Sequence, residues 1–224
     1  LTDGAHTEHV AFWMAALGTF ADDFHFRQPW LSTAAGTSAW CHEDCTITPP
    51  TAALIDKLGR NQDIGALVVV VGAASFLLHT YSHADVIAID APPLAGARLD
   101  DGTCELVPLI ASIDPTEDAR DFMKRIGEMV AGSYSYHPFP IGLVADRLLK
   151  RRRPTTNVLV TFTGLHDAAP SGDDHDLRII VSRKPSLGIR IEGRAPAFSP
   201  EHLHTFARHL SGVLASFADL SRPL

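Results

Sequence analysis

The chain has 224 residues, enough to bury a full core as one domain or two small lobes. With 46% apolar and 20% charged residues it reads as a globular protein, which excludes an intrinsically disordered chain. A net charge of −7 argues against nucleic-acid binding, because phosphate recognition usually needs a basic face.

Cys41, Cys45 and Cys104 are too few, and odd in number, for a disulfide framework, which points to a reducing cytosol. In chain order, Thr7-Glu8-His9 opens a helix that carries Val10, Trp13, Met14 and Leu17 at helical spacing, and Gly18 ends it. Residues 20–36 are irregular, and 37–47 read as a strand. Thr48 is placed as an N-cap, with Pro49 in the first turn of a short helix that Gly59 closes. The stretch Asn61–Leu94 is the hub of the chain. Its uncharged run Ile64–Leu78 suits a β-branched strand through Leu67–Val71 or a buried helix; length and Ala66, Ala73 and Ala74 favour a core helix over 62–79. It is too short and too rich in small residues to span a bilayer, for which roughly 20 apolar residues are needed. A turn, YSHAD, and a buried strand, VIAIDA, follow.

Beyond the loop 92–102 a strand is expected over 104–113. Asp114-Pro115-Thr116-Glu117 predicts a helix start, and Phe122, Met123, Ile126, Met129 and Val130 form its buried stripe. A turn over 134–140 leads to a helix over 141–149, whose end is matched by the cations of 150–153. Strands are predicted at 157–163, 177–183 and 188–194, the first two separated by an acidic loop read as a mobile surface segment. A last helix from Ser199 to about Asp219 sets Leu203, Phe206, Ala207, Leu210, Val213, Leu214 and Phe217 on one face.

Motif logic excludes more than it offers. VVVVGAAS has one glycine where a dinucleotide fingerprint needs three. Cys41-His42-Glu43-Asp44-Cys45 holds good metal ligands, but on a strand the two cysteines are too far apart for one tetrahedral site. Two core-facing cysteines in an alternating strand are the expectation, with no metal site. His202, His204 and His209 read as a solvated helix face. No nucleophile elbow, P-loop, zinc-peptidase helix or paired CxxC is present.

Taken in order, five stretches resemble the C-terminal half of a nonribosomal peptide synthetase condensation domain. FWMAAL is similar to the family's "YW…L" opening helix. YSHADVIAIDAPPLAGAR resembles "dvviGxPvaGR", and CELVPLIASID resembles "NTLPLRVDL" with Pro108 retained. AGSYSYHPFPIGLV resembles "HQDxPFExLV", which maps onto His137, Pro138 and Phe139. RRPTTNVLVTF resembles "RDxSRNPLFQVMF", keeping Arg152 and Asn157, with Thr156 where a second Arg is usual. The resemblance implies one chloramphenicol acetyltransferase-like α/β sandwich lobe, spanning residues 1–224, with a mixed sheet and flanking helices. It also implies structural roles for Pro108, His137, Pro138, Phe139, Arg152 and Asn157.

The HHxxxDG motif that runs the family's amide-forming reaction is absent from the sequence. The segment between Arg98 and Pro108, which in the family helps form a crossover to the other lobe, is shortened. The expectation is therefore a truncated, noncatalytic lobe, without catalytic residues or a directly bound cofactor. Its expected partner is an adenylation domain C-terminal in the same polypeptide, with no nucleic-acid or membrane partner. The alternative is half of an active condensation or acyltransferase domain. Its HHxxxDG lobe would then sit on a missing segment or partner chain, with phosphopantetheine carried by a partner carrier protein. A third reading is a free-standing module that binds carrier proteins or pairs with itself.

Overall fold

A computed structural model describes residues 3–20, 22–26, 39–97, 106–137, 141–148, 150, 155–166, 175–183, 186–195 and 197–217. The architecture is α/β: a six-stranded mixed sheet with helices against it. The strands are β1 (Trp40–Asp44), β2 (Val86–Ala91), β3 (Val107–Ser112), β4 (Val158–Phe162), β5 (Leu177–Ser182) and β6 (Gly188–Arg194). Their spatial order is β1-β6-β5-β4-β2-β3. β2, β4 and β5 run parallel, while β1/β6, β5/β6 and β2/β3 pair antiparallel.

The helices are α1 (Asp3–Thr19), α2 (Pro49–Leu58), α3 (Asp63–Ser82), α4 (Ala119–Tyr136), α5 (Ile141–Leu143) and α6 (Pro200–Ser216). A π-helical turn, Val144–Leu148, continues α5. α3 lies over β2 and β4, α4 over β3, and α6 over β1 and β6. This places α3 at the centre of the helical layer, with α2 packed on it as well. Its apolar residues surround the helix instead of forming a stripe, as a helix with neighbours on several sides requires. Among the described helices it is the one with the length and hydropathy of a membrane span, but Leu67, Val70, Val71, Ala74 and Leu78 are fully buried in the core.

The residue patterns match this placement. β2 and β3 are apolar at nearly every position, whereas β5 and β6 alternate because one face of that half of the sheet meets solvent. Pro108 sits in β3, an edge strand, where a missing N–H is tolerated. α4 and α6 each bury one stripe: Phe122, Ile126 and Val130 on one, Leu203, Phe206, Leu210 and Leu214 on the other.

Several predicted boundaries move. α1 runs through Gly18 to Thr19, and α3 continues three residues past His79 before His83 takes a left-handed conformation. Residues 114–117 are a turn, not the helix start: Thr116 donates its N–H and hydroxyl to Asp114 Oδ1. Asp118 is the N-cap instead, its carboxylate accepting the Asp121 N–H at 2.8 Å. The turn predicted from Tyr134 is still helix as far as Tyr136, since the Trp13 indole bonds the Tyr136 carbonyl and Phe12 stacks on its ring.

Candidate functional site

Asn157 heads β4 and makes three hydrogen bonds. Its Oδ1 accepts the Phe26 N–H at 2.8 Å, and its Nδ2 donates to the Phe26 carbonyl and to Asp176 Oδ2, each at 3.0 Å. Its backbone carbonyl also accepts the N–H groups of Asp176 and Leu177. An amide suits this place because it offers donor and acceptor at once to the backbone of Phe26, which lies outside the six strands. Neighbouring Thr156 donates its hydroxyl to the Ala88 carbonyl of β2 at 2.8 Å and accepts the Val158 N–H. Phe24 bridges Thr156, and Asp23 accepts from Thr155, so residues 22–26 are stitched alongside 155–157.

A buried histidine–carboxylate hydrogen bond adjoins this clasp. His175 Nε2 lies 3.1 Å from Asp90 Oδ2, and Arg194 donates to the His175 carbonyl at 2.9 Å. Pro108, opposite Asp90 in the β2–β3 register, has its carbonyl capped by the Ser133 hydroxyl of α4. His137 follows α4 and is buried. Pro138, Phe139 and Arg152 lie outside the described residues. The grooves beside β3 and between α3 and α4 contain none of Pro108, His137, Thr156 or Asn157.

A second polar group sits where β2 and β4 end. His166 Nδ1 accepts the Phe162 N–H at 3.0 Å, and its Nε2 is 2.7 Å from the Tyr134 hydroxyl. The first bond uses the Nδ1 lone pair, so a neutral ring carries its proton on Nε2 and donates to Tyr134. Burial lowers the His166 pKa from its ordinary 6.5 to about 4 and raises that of Tyr134. Both groups are neutral near pH 7, and the pair offers no free base lone pair on the imidazole.

The cysteines follow the same pattern. Cys41 is half-buried on β1 and Cys45 is buried just after it; desolvation raises both thiols, Cys45 to about 12, which makes it a poor nucleophile. No metal-ligand cluster occurs among the described residues.

The acidic loop read as a surface segment is corrected at both ends. His166 and His175 are buried and bonded, because each closes a strand end that would otherwise leave polar groups unpaired. Asp90 was the legible signal here: one carboxylate in an apolar strand implies a buried partner. The Tyr134–His166 pair had no such signal.

No protein-family model and no curated protein matches the sequence. Solved structures do match in fold. The condensation domain from Monacolin K polyketide synthase MokA superposes at a TM-score of 0.70 with 13% identity, over 96% of this chain and 58% of that one. This chain has the fold of a condensation-domain lobe. The X-domain from teicoplanin biosynthesis agrees at a TM-score of 0.73 with 17% identity, covering 99% of this chain and 56% of that domain. A four-domain nonribosomal peptide synthetase bound to AMP and glycine contains the same lobe at a TM-score of 0.75 and 15% identity, over 100% of this chain and 20% of that one. The chain spans somewhat more than half the length of the isolated condensation domains it matches.

Proposed function

We propose that this condensation-like lobe serves nonribosomal peptide synthesis as a noncatalytic structural platform for an adjoining adenylation domain. The observation that carries this reading is how the motif positions are used. Asn157, Thr156 and Pro108 hold backbone segments and strands of the lobe together, and the motif that supplies the family's catalytic His is missing from the sequence. Amide formation needs a base beside two aligned reactants, and the buried rings of His166 and His175 are each bonded to neighbouring groups of the lobe. The match to a lobe within a multidomain synthetase supports the architectural setting.

The test is an amide-formation assay with a carrier-bound acyl donor and a carrier-bound aminoacyl acceptor. The chain alone should give no product above the enzyme-free rate; turnover would overturn the reading. A parallel binding titration against an adenylation domain should saturate.

A second reading rests on the coverage, since the matched domains are nearly twice as long. In it the lobe completes an active condensation or acyltransferase domain with a lobe that carries HHxxxDG. Adding such a lobe in trans would restore amide formation under that reading and leave it absent under the first.

A further inference from the structure

The register shows what the sheet carries on the face opposite α6. β1 presents Trp40, His42 and Asp44, facing Arg194, Glu192 and Arg190 of β6 in that order. β5 presents Arg178 opposite Glu192. Arg178 and Trp40 therefore stand on strands separated by β6, about 10 Å apart at the backbone. Their side chains nevertheless meet: the guanidinium carbon of Arg178 is 4.1 Å from the Trp40 ring centroid. Both side chains arch over β6 to do so. Arg194 comes in beside them, 5.1 Å from the same ring.

The two arginines differ in what they bond. Arg194 donates to the His175 carbonyl, and its Nε lies 3.7 Å from the Asp176 carboxylate. Arg178 donates to no acceptor among the described residues, and its Nε is enclosed without a partner. Glu192 is its register neighbour, yet no ion pair forms between them. Stacking on an indole fixes the plane of a guanidinium and leaves its fork of N–H donors unengaged. An Arg whose only fixed contact is an aromatic face is pre-organised for an incoming oxyanion, whose planar or tetrahedral oxygens match that fork.

We propose that Arg178, held on Trp40 and flanked by Arg194, is a binding site for an oxyanion, either a carboxylate or a phosphate group. Glu192 limits its affinity as the neighbouring negative charge. The site lies on the sheet face opposite α6, where Arg194 links it through Asp176 to the Asn157 clasp, and the proposal does not rest on the platform reading.

The Nε–H resonance of Arg178 and the indole N–H of Trp40 in the ¹⁵N-labelled 224-residue chain provide the test. Acetate and inorganic phosphate are titrated separately at low ionic strength. At least one should move both resonances along a saturating curve, and the anion with the lower midpoint identifies the ligand class. Arg178→Gln should abolish the response at Trp40, and Glu192→Gln should lower the midpoint by about threefold or more. Resonances that stay in place with both anions would overturn the proposal. So would an Arg178→Gln chain that titrates at Trp40 with the wild-type midpoint. Glu192→Gln leaves Arg178 and Trp40 intact, so an unchanged midpoint in that variant is a separate refutation.

Discussion

Asn157 shows how one side chain can carry a fold. It bonds a backbone N–H, a backbone carbonyl and a carboxylate, and it is almost fully buried. Asn157→Ala would leave the N–H and carbonyl of Phe26 without partners, with a loss of about 2–4 kcal/mol expected in denaturant unfolding. Asn157→Asp keeps the size but replaces the donor with a charge that faces Asp176, and should be at least as harmful. His166 makes a different prediction. Its folded pKa of about 4 lies below the ordinary 6.5, so between those values the unfolded chain binds more protons than the folded one. The stability it confers is complete above about pH 6.5 and is lost as pH falls toward 4, by about 3 kcal/mol in total. His166→Asn retains an acceptor for the Phe162 N–H but cannot titrate there. Unfolding midpoints for that variant should show a flatter pH profile between 4 and 6.5, and an unchanged slope would assign the dependence elsewhere.

At the scale of elements, α3 depends on how closely α2 approaches it. Arg60 and Asn61 both take left-handed conformations to turn the chain between these helices. A Cβ on Gly65 would come within 2.1 Å of the Gly59 carbonyl oxygen, and the obstructing atoms are backbone. Gly65→Ala therefore forces the α2–α3 junction apart, and a loss of about 3 kcal/mol or more is expected in thermal or denaturant unfolding. Gly72→Ala is the useful contrast. Its nearest obstacle is the Met123 sulfur at 2.8 Å, the end of a flexible side chain that can move aside. That substitution should cost less than half as much. Arg183 adds a tie from the end of β5 to both helices through Asp63 and Asp56. Helix existence was readable from the periodicity of α4 and α6, and α2 from Thr48 and Pro49. The start of α4 was not, because Asp114 and Asp118 both have capping chemistry. The Thr116 bonds to Asp114 close 114–117 as a turn, and Arg125, which donates to Ser112 and Glu117, holds it against the end of β3.

At the scale of the molecule, nearly all the buried apolar side chains among the described residues form one continuous cluster, which includes Trp13 on α1 and Leu214 on α6. A single core predicts a single cooperative unfolding transition. Its midpoint should not move over about a hundredfold range of protein concentration; a midpoint that rises steeply would show that a partner surface completes the fold. The sequence by itself determined the α/β class, the strands VIAIDA and Gly188–Arg194, the α6 stripe and the likeness to a condensation-domain lobe. Those follow from local periodicity, caps and the order of motifs. The tertiary structure alone decided that Asn157 clasps Phe26, that Asp90 meets His175, that Tyr134 meets His166 and that Arg178 reaches Trp40. Each pair joins residues far apart in the chain, or on strands that are not neighbours. Polar side chains of this kind carry no periodic signal, and their partners are chosen by sheet order and register.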